Sequence, residues 1–350
     1  MKSNYDILGN YIRLIDTRNR ESITDRVLGI NIDKFFMPSV ANVIGTDLSK
    51  YKLITKGKFA CNPMHVGRDE RLPVALYDEE EPAIVSPAYF LFEIIDNSIF
   101  NEDYLMMWFR RPEFDRICWL HTDGSVRGGI TWDDICRLEL PIPSIEKQLE
   151  IVNSYKAITE RIALKQKIND NLEATLTAIF FDMFSSEEAT EPSKLSELMS
   201  FGNGKSRPKT DGSIPVYGGN GVLSYTDQHN IENAVLIGRV GAYCGSVYLE
   251  QGICWVSDNA IFAKSKISED EFFDYFLLKG LNLFNHHVGT GQQLLTQEIL
   301  NNIEVSKPDD KQVEAFNKRA KAVFETITAN KSEIVQLQGL SDLLLSRLAG

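Results

Sequence analysis

The chain repeats itself at one fixed offset, and any fold proposed for it has to use the same unit twice. GSVRGGIT, Gly124 to Thr131, is followed by LELPIPS, Leu138 to Ser144; GTGQQLLT, Gly289 to Thr296, is followed by IEVSKPD, Ile303 to Asp309. The identities Gly124/Gly289, Thr131/Thr296, Glu139/Glu304 and Pro143/Pro308 all lie 165 positions apart. Just downstream, Ile151, Tyr155, Ile158 and Ile162, then Leu172, Leu176, Ile179 and Met183, follow the 4-3 spacing of a helix packed on another helix. The same offset leads to Phe316, Ala320, Val323, Ile327, Leu337, Ser341, Leu344 and Leu348, apolar at every position but Ser341. Ile334 falls on that second stripe. The repeated unit is a mixed domain followed by a helix of about 40 residues, far longer than the mean of about 11 to 12.

Within each unit the domain reads as α+β. Short strand-like runs, Ala88 to Phe92, Ala234 to Ile237 and Val247 to Leu249, are broken by Gly, Pro and Asn clusters. Helical stretches are expected at Glu102 to Phe109 and Glu269 to Leu278, each carrying Asp-Tyr-hydrophobic. The expected layout is a first domain at 1–143, a long helix at 144–186, a second domain at 187–306 and a second long helix at 307–350. The polar stretch Ser185 to Ser193 serves as the solvated link into the second unit.

Chain geometry then favours opposed helices. A helix of about 40 residues is about 60 Å long, whereas a domain of about 120 residues spans about 35 to 40 Å. That domain is too small to carry the chain back to the first helix's start, so antiparallel packing is expected: a long two-helix coiled coil separating two similar domains about a pseudo-two-fold axis. Lys165 and Asn169 in the first stripe and Asn330 in the second interrupt the apolar seam near its middle. Either these polar residues meet and fix the register at a cost in stability, or the helices splay there and water covers them.

Composition limits the function classes. The 350 residues are 43% hydrophobic and 25% charged, which suits an ordinary soluble protein with room for two cores. The formal charge of -12 argues against a surface that binds a polyanion broadly. No apolar run reaches membrane-spanning length, and Met1 to Asn10 has no leader-like pattern, so a cytoplasmic location is expected. Cys61, Cys118, Cys136, Cys244 and Cys254 form no C-x-x-C pair and read as reduced core thiols.

Catalytic motifs fail on inspection. Gly202-Asn203-Gly204-Lys205-Ser206 ends like a phosphate-binding loop, but the required upstream glycine position is Met199 and Pro208 interrupts the helix that must follow. Asn62-Pro63-Met64-His65 approaches the Asn-Pro-Pro-aromatic site of amino-methyltransferases without its second Pro or its aromatic. His286, His287 and His229 have no supporting carboxylate spacing, so no metal is assigned. No nucleophile, base and orienting acid stand together. The chain reads as a non-catalytic binding protein. Basic, flexible stretches at Lys50 to Lys58, at Arg68 and Arg71, and at Lys205, Arg207 and Lys209 offer phosphate contacts, with Asn, Gln and Ser on loops suited to base edges.

Three segments, IPVYGGNGVLSY (Ile214 to Tyr225), AVLIGRVGAYCGSVY (Ala234 to Tyr248) and WVSDNAIF (Trp255 to Phe262), resemble the second target-recognition domain in the specificity subunit of type I restriction-modification systems. GTGQQLLT with Lys311-Gln312 resembles that family's junction into its long helix. In the first half, GKFACNP (Gly57 to Pro63), VSPAYFLFEI (Val85 to Ile94), GSVRGGIT and PIPSIEKQ are the matching elements; residues 1–47 carry few landmarks.

The resemblance implies two target-recognition domains, each reading one half of a bipartite DNA sequence, and a helix pair that sets the spacer and docks two methyltransferase subunits. S-adenosylmethionine, ATP and Mg are then expected on those partners and on the restriction and motor subunits, with no cofactor on this chain. Carried over residue by residue, DNA contacts are expected at Lys205, Arg207, Tyr217, Asn220, Arg239, Tyr243, Asp258, Asn259 and Gln292, and in the first domain at Asn62, Arg68, Ser86 and Arg127. Gly218, Gly219 and Gly221 are equally read as turn glycines that permit positive φ. The competing reading is a coiled-coil scaffold whose domains bind proteins and never DNA.

Overall fold

The computed structural model describes residues 5–64, 66–122, 128–184, 191–289 and 291–348. It divides into two compact units, Met1–Leu164 with Glu333–Gly350, and Lys165–Ser332. Helix and sheet are mixed in both, giving an α+β fold. No helix among the described residues is long and apolar enough to cross a membrane.

The first unit holds two four-stranded sheets. One runs Ile12–Ile15, Phe90–Ile94, Lys58–Cys61, Val74–Tyr77, antiparallel throughout. The other runs Phe36–Pro38, Val27–Ile30, Ala83–Val85, Lys52–Ile54, with Val27–Ile30 parallel to Ala83–Val85. Pro38 sits on an edge strand, where its missing N–H costs no ladder bond. Phe59 and Phe92 stack at 5.0 Å on the first sheet and meet Phe109, which belongs to the helix Glu102–Phe109. The helix Pro112–Leu120, which begins at a proline, closes this core with Phe114 and Cys118.

The second unit is built on one six-stranded sheet in the order Met199–Asn203, Ala260–Ser265, Ile231–Gly238, Val247–Val256, Ile214–Gly218, Gly221–Thr226. Its strand Ile231–Gly238 is buried on both faces from Ala234 onward, so it reads as a continuous apolar run. Period-two geometry sends Val235 and Ile237 toward the main core and Ala234 and Leu236 toward a smaller cluster with Cys254, Tyr217 and Tyr248. Phe180, Phe273, Phe276 and Phe316 fill the main core as an aromatic group, with ring centroids 5.4 to 6.0 Å apart around Phe180.

The offset of 165 reappears in the elements themselves. Helix Trp132–Cys136 corresponds to Gln297–Asn301, strand Glu139–Pro141 to Glu304–Ser306, and the start of the long helix Ile145–Phe184 to that of Asp310–Arg347. Thr131 and Thr296 cap the two short helices, their hydroxyls accepting from Asp134 N at 3.2 Å and Ile299 N at 3.2 Å. Each unit is also closed by a strand laid against its outgoing strand: Tyr5 opposite Pro141 in the first, Pro192 opposite Ser306 in the second.

Inside each unit the long helices run in opposite senses. In the second, Lys165 meets Asn330 and, a few turns on, Phe180 meets Phe316. In the first, Arg161 pairs with Glu333 while Val152 and Tyr155 share a core with Leu345 and Leu348. The stripe residues Ile151, Tyr155, Ile158, Ile162, Leu172, Leu176, Ile179, Phe316, Val323, Ile327, Ile334, Leu337 and Leu344 are all buried or half-buried. At the polar interruption Lys165 Nζ donates to Asn330 Oδ1 at 2.9 Å, and Asn330 Nδ2 donates to Asn169 Oδ1 at 2.8 Å.

Two sequence expectations need correction. Ala88 is in a turn, closed by Tyr89 N donating to Ser86 O, so the strand starts at Phe90. The helix expected from Glu269 starts at Phe272, because Ser268 Oγ accepts from Asp270 N and holds the preceding residues as a turn. The helix Pro112–Leu120 was not anticipated at all.

Candidate nucleic-acid interface

In the second unit five loops from distant parts of the sequence converge at one end of the sheet. Lys205 N donates to Val256 O at 2.9 Å and Ser257 N to Tyr217 O at 2.9 Å. Arg239 N donates to Asn259 O at 3.0 Å, and Gly241 N to Gln293 O at 3.0 Å. Residues 203–207, 217–221, 238–245, 256–260 and 291–294 are thereby tied into one surface by their backbones. Gly204 makes the closest approach: a Cβ there would lie 1.9 Å from Ser257 O. Gly221 adopts φ +77°, a conformation that needs glycine, whereas Gly218 and Gly219 do not have positive φ.

Lys205, Arg207, Asn220, Tyr243, Asp258, Asn259 and Gln292 are exposed on or beside this surface. Arg239 is half-buried. Its Nη1 reaches Asp258 O at 3.4 Å and its Nε is buried without a partner, while its carbonyl accepts from Leu295 N at 2.9 Å. Backbone bonds on both sides fix the Arg239 backbone. Tyr217 is directed elsewhere: it is half-buried beside Tyr248, and its hydroxyl donates to Glu250 at 3.0 Å. Burial, and then the Glu250 carboxylate, push that hydroxyl above the usual tyrosine range.

The candidates of the first unit are placed by one short segment. Asn62 follows the strand Lys58–Cys61, and its side chain accepts from Met64 N at 3.2 Å in a turn. Gly67 N donates to Gly128 O at 3.0 Å and Ile130 N to Pro63 O at 3.2 Å, which pins 63–67 to 128–130. Phe90 stands opposite Cys61, so Ser86, in the turn leading to that strand, lies toward the same end as Asn62. Arg68 is exposed but clamped by its neighbour, Nε to Asp69 Oδ1 at 2.6 Å and Nη2 to Oδ2 at 2.9 Å. Arg127, like the first half of GSVRGGIT, lies outside the described residues, as do His65, Thr290 and most of the polar link.

Two features of these sites were not read from the sequence. Ser257 is 1% exposed at the hub of the second unit's loops, with its Oγ unpartnered; its place within WVSDNAIF gave no sign of burial. The ion pairing also differs between the units. Lys205, Arg207, Lys209 and Arg239 have no carboxylate partner among the described residues, whereas Arg68, Arg71, Lys56 and Lys58 pair with Asp69, Asp33, Glu80 and Glu93. Among the described residues no group of three or more His, Cys, Asp or Glu is placed to hold a metal ion.

Residues 187–338 match the family model described as the type I restriction modification DNA specificity domain. None of the curated proteins matches the chain. Among solved structures, the S subunit of a type I restriction-modification system from M. genitalium is similar over 99% of this chain and 96% of its own, with TM-score 0.63 and 15% identity. A chain from a structure concerning complex assembly and conformational transition of the type I R-M system is similar over 98% of this chain and 96% of its own, with TM-score 0.50 and 16% identity. At such identities the likeness speaks to the fold.

Proposed function

We propose that the whole chain, whose residues 187–338 match the model of the type I restriction modification DNA specificity domain, is the DNA-recognition subunit of a type I restriction-modification complex. In this reading it does no chemistry. Each of its two domains reads one half of a bipartite target, and the two long helices, as an antiparallel spacer, set the distance between the halves and receive two methyltransferase subunits. S-adenosylmethionine, ATP and Mg belong to those and to the restriction subunits, in the cytoplasm.

The observation that carries the reading is the convergence of five loops at one sheet end of the second unit. The surface they form bears Lys205 and Arg207 without carboxylate partners among the described residues, beside Arg239, Asn259 and Gln292. Cations of this kind fix a phosphate backbone, and planar Arg, Asn and Gln side chains suit base edges. The formal charge of -12 then fits a division of labour, with a narrow reading face here and much of the phosphate contact made by partner subunits.

The test is a gel-shift titration with genomic DNA fragments, with and without the co-expressed methyltransferase. Weak binding alone and tight, sequence-selective binding in the complex is expected. No selective binding in either case would leave the scaffold reading in its place.

A further inference from the structure

The first unit contains a groove of about 470 Å³ lined by none of Asn62, Arg68 and Ser86, but by the turn at Asp33, by Asp69 to Arg71, and by Arg110, Arg116 and Trp119. We infer that this groove is a second phosphate-backbone contact of the first domain, with Arg110 and Arg116 as the cations that hold it. The inference rests on the DNA-recognition reading above and adds to it a site outside the loops of Asn62, Arg68 and Ser86.

Charge bookkeeping within the groove supports it. Asp33 is held by Arg71 at 2.8 Å, Asp69 by Arg68 at 2.6 Å, and Asp115 by the buried Lys34 at 2.6 Å. Those three lining carboxylates are therefore neutralised, leaving Glu70 as the one with no cationic side chain on it among the described residues. Arg110 and Arg116 are exposed and have no carboxylate partner among the described residues. Two unneutralised guanidiniums facing one groove, in a chain of net charge -12, favour an anionic ligand. Trp119, 39% exposed on the groove wall, adds a flat apolar surface.

Position chooses DNA over an acidic peptide. Arg71 stands two residues beyond the end of the helix Val66–Asp69, which carries Arg68 and is bonded through Gly67 to Gly128. The groove is thus continuous with the segment that carries the first domain's reading candidates, and a duplex engaged there extends past them toward Arg110 and Arg116.

The decisive experiment compares the wild-type complex, Arg110→Ala/Arg116→Ala and Arg110→Lys/Arg116→Lys by fluorescence anisotropy across a salt series. Two duplexes are used, one carrying the target mapped by methylation sequencing and one lacking it. Each lost phosphate contact flattens the dependence of log affinity on log salt by about 0.9, so the alanine pair is expected to flatten it by about 1.8 on both duplexes. The lysine pair should keep the wild-type slope, and the methylated motif should be unchanged. An unchanged slope in a folded alanine variant overturns the proposal. Loss of methyltransferase co-purification with normal salt dependence overturns it in favour of an acidic segment of a partner. Failure of the wild-type complex to bind selectively sinks the recognition reading itself.

Discussion

Lys165 donates a hydrogen bond to Asn330, the residue that stands 165 positions later and occupies the same place in the repeat. A side chain bonded to its own repeat equivalent satisfies both interruptions of the apolar stripe with one contact, and Asn169 completes the group. All three are half-buried, so part of each faces solvent.

Replacing all three, Lys165→Leu, Asn169→Leu and Asn330→Leu, is expected to raise stability by about 1 kcal/mol, the low end of what replacing internal polar contacts with apolar ones yields. Thermal melting checks it. A lower Tm would mean that the polar group contributes net stability.

Asp274 is 1% exposed, and neither of its carboxylate oxygens has a hydrogen-bond partner. Burial first, and the Glu271 charge after it, raise its pKa from 3.8 to about 7; Ser265 and Lys264 offset part of that, Ser265 without a hydrogen bond of good geometry. A carboxyl whose folded pKa lies above its unfolded value binds its proton more tightly when folded. Stability is therefore expected to fall as pH rises from about 4 to 7, by up to about 4 kcal/mol. Asp274→Asn should flatten this dependence and raise Tm at pH 8; a variant with the wild-type pH profile would show that another group is responsible.

In the first unit the buried Lys34 amine donates to Asp115 at 2.6 Å and to Phe109 O at 2.7 Å, and it lies 4.5 Å from the Phe114 ring. Desolvation lowers its pKa against the pull of Asp115. Asp115→Ala leaves that amine without its counter-charge and Leu72 N without its acceptor, so a loss of about 3 to 5 kcal/mol is expected in urea unfolding. A loss below 1 kcal/mol would mean that water reaches the site.

Arg239→Ala is expected to weaken methylation at targets sharing one half-site by about 1 to 3 kcal/mol, the worth of a base contact. Sequencing of methylated DNA reads this directly. Equal loss on all DNA would assign Arg239 to a phosphate.

Exchanging Lys194 to Val305 for the same segment of a relative should change only one half of the recognised sequence. If both halves of the motif changed, the two-reader arrangement would be wrong.

Much of this fold was legible because the repeat samples the same physics twice. The apolar stripes follow from residues at one offset, and the same offset marked Thr131 and Thr296 as equivalent positions, though that they cap helices shows only in the structure. The first fifty residues were opaque for the opposite reason: their strands are three or four residues long, too short for periodicity to register. Lys34 reads as a surface lysine, and only the tertiary fold brings Asp115 and Phe114 to it. At the candidate interface, residue types were legible but commitment was not. Nothing in the sequence separates Tyr217, whose hydroxyl is engaged by Glu250, from Tyr243, which is 49% exposed.

The pairing of Ser193 with Val305 brings the incoming and outgoing chain of the second domain side by side. Its two boundaries lie one strand spacing apart, about 5 Å, so a segment exchanged between those points enters and leaves at one place, and it has to repack against the Phe180 and Phe316 rings that the long helices keep.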